Sequence, residues 1–184
     1  MSEIDVYSIK LILIGNASVG KTSIRRKFMG ISLKQGYTPT IGFDISIKNV
    51  ITDNYEAICS IYDIGADAYF NRMKSKYYQN IAGIILVFDA TSELNEESRI
   101  SYWIDEIKEN HGNRDIPFLI LGNKSDLLEN KDKFTDLGKS MKTFVKDQLK
   151  ISDVGFYLTS AKTSENVNTS FNWLIERIIS NHKK

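Results

Sequence analysis

The densest chemical signal in this 184-residue chain is the octapeptide Gly15-Asn16-Ala17-Ser18-Val19-Gly20-Lys21-Thr22. It fits G-x-x-x-x-G-K-[ST], follows the apolar run LILI and opens a helical pattern, the context in which such a loop holds phosphate. Glycines let the backbone curl so that successive N–H groups face phosphate oxygens, and the following helix adds its positive N-terminal dipole. Lys21 is expected to reach the terminal phosphates of a nucleotide, and the Thr22 hydroxyl to ligate Mg²⁺. This loop reads phosphates and not a base, so it leaves kinases, ATPases and GTPases all open.

Two further clusters address the base. Asn123-Lys124-Ser125-Asp126 follows the apolar strand FLILG, and Ser160-Ala161-Lys162 follows GFYLT. Both fall at the carboxyl ends of expected parallel strands, where open α/β sheets bind ligands. An ionised carboxylate only accepts, so Asp126 can take the guanine ring N–H and amino group together, a donor pair that adenine does not offer on that edge. The Lys124 stem can cover the flat of the base. Asn123 can tie this loop to the phosphate loop, and the Ala161 N–H can donate to the guanine carbonyl.

These loops need a scaffold, and the hydropathy pattern supplies one. Short apolar runs alternate with amphipathic segments, which predicts an α/β fold. Strands are expected near Ile9–Ile14, Ile41–Val50, Ala57–Asp63, Ile84–Asp89, Phe118–Asn123 and Gly155–Thr159. Helices are expected over Lys21–Phe28, Tyr69–Gln79, Glu96–Asn110, Thr135–Leu149 and Val167–Ile179. The last carries Val167, Phe171, Leu174, Ile175, Ile178 and Ile179 at helical spacing, a stripe that should pack on the sheet. Thr52, Asp53 and Asn54 are too few for a helical crossover, so the second and third strands should form an antiparallel hairpin. The expectation is one domain over residues 1–184, with about six strands, mostly parallel with one antiparallel, and helices on both faces.

Composition limits the alternatives. A formal net charge of +1 gives no broad field for nucleic-acid binding, and 42% apolar residues permit a full core. The single cysteine, Cys59, lies in an apolar run, which excludes an intrachain disulfide and points to a core filler in a reducing compartment. No run is long enough to span a membrane, and MSEIDVYSIK lacks a secretory signal pattern. His111 reads as a solvated loop histidine, and Arg25-Arg26 as a solvated helix face rather than an arginine finger.

Taken together, the motifs resemble the Ras superfamily of small GTPases, and the Rab branch most closely. The resemblance runs over nearly the whole chain, through GKTS, Thr38-Pro39-Thr40-Ile41-Gly42 as a first switch, Asp63, Tyr77-Tyr78, Trp103, NKSD and SAKT, and through IGFDI, close to the IGVDF of Rabs. It implies a P-loop G domain that binds GTP or GDP through Asn16, Ala17, Ser18, Val19, Gly20, Lys21, Thr22, Ser23, Leu33, Tyr37, Thr40, Asn123, Lys124, Asp126, Ser160, Ala161 and Lys162. By the same resemblance Thr22 and Thr40 ligate Mg²⁺ directly and Asp63 holds it through a water. Lys21, Thr40, Ala66 and Asp67 then form the hydrolytic set.

The second switch departs from the family. Asp63-Ile64-Gly65-Ala66-Asp67-Ala68 stands where the family reads Asp-Thr-Ala-Gly-Gln-Glu. Asp67 is short, anionic and unable to donate where a glutamine orients the attacking water, and Ala66 replaces a glycine beside the γ-phosphate. Slow hydrolysis is expected, with a hydrolysis-deficient GTP-binding scaffold as the alternative. Leu33 replaces an aromatic at the guanine edge, so faster nucleotide loss is expected. Effectors, an exchange factor and an activating protein would meet the switches on a face including Phe43, Tyr62 and Tyr77, although Tyr62 and Tyr77 could instead cap the core. A cytoplasmic monomer regulating vesicle traffic follows. Membrane attachment would require a lipidated tail, because no cysteine lies near Asn181-His182-Lys183-Lys184.

Overall fold

The computed structural model describes residues 4–33, 40, 42–65, 74–92, 96–112 and 114–183. Among them are β1 (Asp5–Ile14), α1 (Lys21–Phe28), β2 (Phe43–Ile51), β3 (Tyr55–Ile64), α2 (Lys74–Tyr77), β4 (Gly83–Asp89), α3 (Glu96–His111), β5 (Phe118–Asn123), α4 (Lys133–Leu149), β6 (Val154–Leu158) and α5 (Val167–His182). The strands form one sheet in the order β2-β3-β1-β4-β5-β6. Only the β2–β3 pair is antiparallel.

The burial pattern explains this order. Residues 11–14 of β1, 83–88 of β4 and all of β5 are buried, as expected of parallel strands covered on both faces. On one face Ile12, Ile84, Leu86 and Ile120 meet Ile104 of α3 and Val145 of α4. On the other, Leu11, Leu13, Val87 and Leu121 meet Ile24 of α1 and the predicted α5 stripe, all six members of which are buried. Phe28 and Phe171 stack with ring centroids 4.0 Å apart, joining α1 to α5. Phe171→Ala is expected to cost about 3–5 kcal/mol, read as a lower urea midpoint at unchanged m-value.

The hairpin turn forms as the short connection requires. Thr52 Oγ1 accepts from the Tyr55 N–H at 3.1 Å and the Asn54 N–H at 3.3 Å, while the Thr52 N–H donates to the Tyr55 carbonyl. Cys59 is buried on β3, and burial pushes its thiol up to about 11 against the weaker pull of Lys48, so it acts as filler.

Several boundaries and two side-chain assignments differ from the sequence reading. β1 starts at Asp5, four residues before Ile9, because Asp5–Ser8 pair with Tyr55–Ile58. These residues are mostly exposed, so hydropathy does not reveal them. β2 begins at Phe43, after Gly42, whose φ of 78° is not extended backbone; Ile41 lies outside the described residues. Within Tyr69–Gln79, residues 69–73 also lie outside them, and the described helix ends at Tyr77. His111 is buried at the end of α3, with Nδ1 3.0 Å from Arg114 Nη2. Burial first, and Arg114 second, hold its pKa below the usual imidazole value. Arg25 is likewise buried, not solvated. His111 meets a residue just beyond its helix, and Arg25 meets acidic partners distant in sequence.

Candidate nucleotide and metal site

The phosphate loop leaves β1 at Ile14 and enters α1 at Lys21. Its glycines are sterically required. A Cβ on Gly15 (φ 141°) would lie 2.1 Å from the Val87 carbonyl oxygen, and one on Gly20 (φ 98°) 2.2 Å from Asn123 Nδ2. Asn16, Ala17 and Ser18 are exposed along the loop, and Val19 is buried beneath it. Ser23 is half-buried in the first turn of α1. Trp103 of α3 donates Nε1–H to Asn16 Oδ1 at 3.2 Å, buttressing the loop from the side.

Lys21 is buried, and its ammonium donates to the Gly15 carbonyl at 2.7 Å and the Asn16 carbonyl at 2.9 Å. Desolvation lowers its pKa and nearby Asp63 opposes the shift. An ammonium has three donors, so one remains beyond the two that bind the loop.

The three residues expected at a metal converge. Thr22 Oγ1 lies 2.8 Å from Thr40 Oγ1 and donates to Asp63 Oδ2 at 2.6 Å. Asp63 is fully buried at the end of β3, and its Oδ1 has no hydrogen-bond partner. Burial raises its carboxyl pKa, against the Thr22 bond and the charges of Arg25 and Lys21. Two hydroxyls and a carboxylate with an unsatisfied buried oxygen form a hard-oxygen donor set that fits Mg²⁺ with retained waters. Among the described residues no group of three or more His, Cys, Asp or Glu side chains is placed to hold a metal ion.

The base loops sit at the same end of the sheet. Asn123 joins everything: its Nδ2 donates to the Val19 carbonyl at 2.8 Å and its Oδ1 accepts from the Ala161 N–H at 3.2 Å. The Ala161 N–H is thus already engaged, which differs from the free donor expected from sequence, although 3.2 Å is the long end of the range. Ser160 is buried and donates Oγ–H to Asp126 Oδ1 at 2.6 Å. Lys162 is exposed, with its Nζ 3.9 Å from Asp126 Oδ2.

Three positioning residues were missed by sequence reasoning. Asp89, at the end of β4, binds Lys124 Nζ at 2.5 Å. Burial works against its ionised form, but bonds from Lys124 and Thr91 outweigh that and lower its pKa. Glu165 accepts from Ser125 Oγ at 2.7 Å and from Lys131, and those bonds lower its pKa. Arg25 reaches both Asp44 and Asp63. The place of Asp89 at a strand's carboxyl end was a usable signal; Glu165 and Arg25 gave none.

Leu33 is half-buried after α1, while Tyr37, Ala66 and Asp67 lie outside the described residues. Gly65 just before them is tightly held. Its N–H donates to the Gly42 carbonyl at 2.7 Å, and a Cβ there would fall 2.4 Å from the Thr40 oxygen. A cavity of about 310 Å³ beside it is lined by Asn16, Ala17, Ile64, Gly65, Tyr102, Trp103 and Glu106. It adjoins the phosphate loop but touches neither the metal oxygens nor the base loops.

The family model described as the Ras family matches residues 10–180. The chain belongs to the Ras family. Within it, this Ras-family protein is a small GTPase of the Rab branch. It is 34% identical over 165 residues to the Ras-related protein RABD1 of Arabidopsis thaliana, covering 90% of this chain and 76% of that one. It is 32% identical over 171 residues to the Ras-related protein Rab-1 of Theileria annulata, covering 93% and 74%. To the Ras-related protein Rab-13 of Mesocricetus auratus it is 33% identical over 173 residues, covering 94% and 81%.

On the face expected to meet partners, Phe43 is exposed and its ring lies 4.6 Å from that of Tyr77. Tyr77 itself belongs to the buried core, and Tyr62 is half-buried under Lys10. The alternative of a core cap therefore holds for Tyr77. No helix among the described residues is long and apolar enough to cross a membrane.

Proposed function

We propose that this protein is a guanine-nucleotide switch that binds GTP or GDP with Mg²⁺, hydrolyses GTP slowly, and presents its switches to effectors and regulators of vesicle traffic. The observation that carries the reading is the pair of hydrogen bonds by which the Asn123 side chain donates to Val19 and accepts from Ala161, tying the phosphate loop to the base loops. A nucleotide spanning the two loops is the ligand that this coupling suits.

In this reading Asp126, braced by Ser160, accepts from the guanine edge, and Lys124, drawn to Asp89, lays its stem along the base. The Ala161 N–H shares its long bond with the guanine oxygen. Lys21 uses its remaining donor on the terminal phosphates. Thr22, Thr40 and Asp63 would hold Mg²⁺, which when bound offsets phosphate charge. Since Thr40 also belongs to the first switch, loss of the γ-phosphate releases that segment and changes the partner surface around Phe43. Attachment at a membrane surface, through a lipidated segment or a partner, completes the Rab-like role.

A displacement assay tests the assignment. Labelled GDP in Mg²⁺ buffer is expected to be displaced by GTP at least about a hundredfold more effectively than by ATP, because adenine leaves Asp126 without its donors. ATP competing as well as GTP would refute it. The nucleotide recovered with the purified protein separates a cycling switch, which carries GDP, from a hydrolysis-deficient scaffold, which carries GTP.

A further inference from the structure

Antiparallel pairing sets Asp44 directly opposite Asp63, an arrangement in which like charges repel. Asp63 is fully buried and Asp44 half exposed, so the repulsion is least screened on the side of the metal oxygens. One cation answers both. Arg25, on α1, is buried and donates Nη2–H to Asp44 Oδ2 at 2.5 Å, with Nη1 bonded to Ser46 Oγ. Its Nε lies 3.4 Å from Asp63 Oδ2 and has no hydrogen-bond partner. The oxygen it faces is the one that already accepts from Thr22. A buried guanidinium with an unsatisfied donor against a proposed metal-holding carboxylate is not a solvated helix face.

We propose that Arg25 is a positioning residue of the Mg²⁺ site that competes with the metal for Asp63. Without metal, it neutralises the Asp44–Asp63 pair and keeps the Thr22–Thr40–Asp63 cluster assembled. When the metal enters, Asp63 must divide its charge between the guanidinium and a divalent ion that Arg25 repels. The net result is a site that persists without Mg²⁺ and binds it more weakly than an aliphatic residue at position 25 would allow. Arg25 thereby raises the Mg²⁺ concentration at which nucleotide retention reaches its half-maximal level. A purely structural Arg25, serving only to tie α1 to β2, would leave the metal requirement where it is.

This inference rests on the guanine-nucleotide reading above. The test loads the protein with GDP carrying a fluorescent ribose label and measures its release rate across buffered free Mg²⁺ concentrations. A unit charge this close to the metal oxygens is worth on the order of tenfold in binding. Arg25→Leu should therefore shift the Mg²⁺ midpoint about tenfold lower, and Asp44→Asn, which removes the offsetting outer carboxylate, should shift it several-fold higher. Arg25→Gln, which removes the charge while keeping polar donors for Asp44 and Ser46, should shift the midpoint in the same sense as Arg25→Leu and keeps the test decisive if Arg25→Leu does not fold. Midpoints that coincide with the unaltered protein, or move in the opposite sense, overturn the role of Arg25 alone. Unaltered protein that retains no labelled GDP at any Mg²⁺ concentration overturns the nucleotide reading, and this inference with it.

Discussion

Asp126→Asn is expected to weaken GDP binding by at least about a hundredfold and to create a preference for xanthosine diphosphate, because a mismatched hydrogen-bond edge in a site built for a specific one is rejected strongly. The Ser160 hydroxyl, 2.6 Å from Asp126 Oδ1, favours the orientation in which the new carboxamide keeps its oxygen there. The amino group then stands where the second carboxylate oxygen was, donor against the donors of guanine. Xanthine presents a carbonyl at that edge and restores the match. Fluorescence displacement with guanosine, xanthosine and adenosine diphosphates measures all three affinities. Equal GDP binding by the variant would mean that another group reads the base.

The contrast between Asp126 and Arg25 shows what the chain discloses before it folds. Asp126 follows an apolar strand and sits in a short polar motif, so its role is written in local order. The same holds for Gly20 and Lys21, and for the hairpin, whose Thr52-Asp53-Asn54 connection admits no helix. The six-strand order, the two covered faces and the α5 stripe follow from periodicities that the sheet must satisfy. Arg25 is different. Its partners lie 19 and 38 residues away, as 44 − 25 and 63 − 25, and only the antiparallel register of β2 against β3 brings them together. Glu165 clamps Ser125 across 40 residues in the same way. The first four residues of β1 escape the hydropathy pattern for a related reason, since Asp5–Ser8 are held by ladder bonds to β3 while lying mostly exposed. Charge alone reads as solvation until a fold supplies the opposite charge.

Replacing Ala66 and Asp67 together by Gly and Gln is expected to accelerate single-turnover GTP hydrolysis by tenfold or more, up to about a hundredfold if the native segment misplaces the water by an ångström. Ras, with glycine and glutamine at the corresponding places, hydrolyses GTP unaided at only about 3–5 × 10⁻⁴ s⁻¹, so the unaltered protein should lie at or below that order. The proposed reason is the chemistry of Asp67, which when ionised has no donor to orient a water and would add negative charge near an anionic phosphate. Gly65 offers no substitute donor, because its N–H donates to the Gly42 carbonyl at 2.7 Å just beyond the β2–β3 pairing. The next backbone donor in line is that of Ala66, where a methyl group limits the approach that glycine permits. Asp67→Gln alone should therefore recover less than the double substitution. Lys21 is untouched in both variants, so nucleotide affinity should change little while the rate rises. Rapid mixing of GTP-loaded protein with Mg²⁺, followed by phosphate release, reads the rate directly. A native rate well above the Ras order, or a double variant no faster than native, would show that a different residue orients the water and that Asp67 is not the cause of slow turnover.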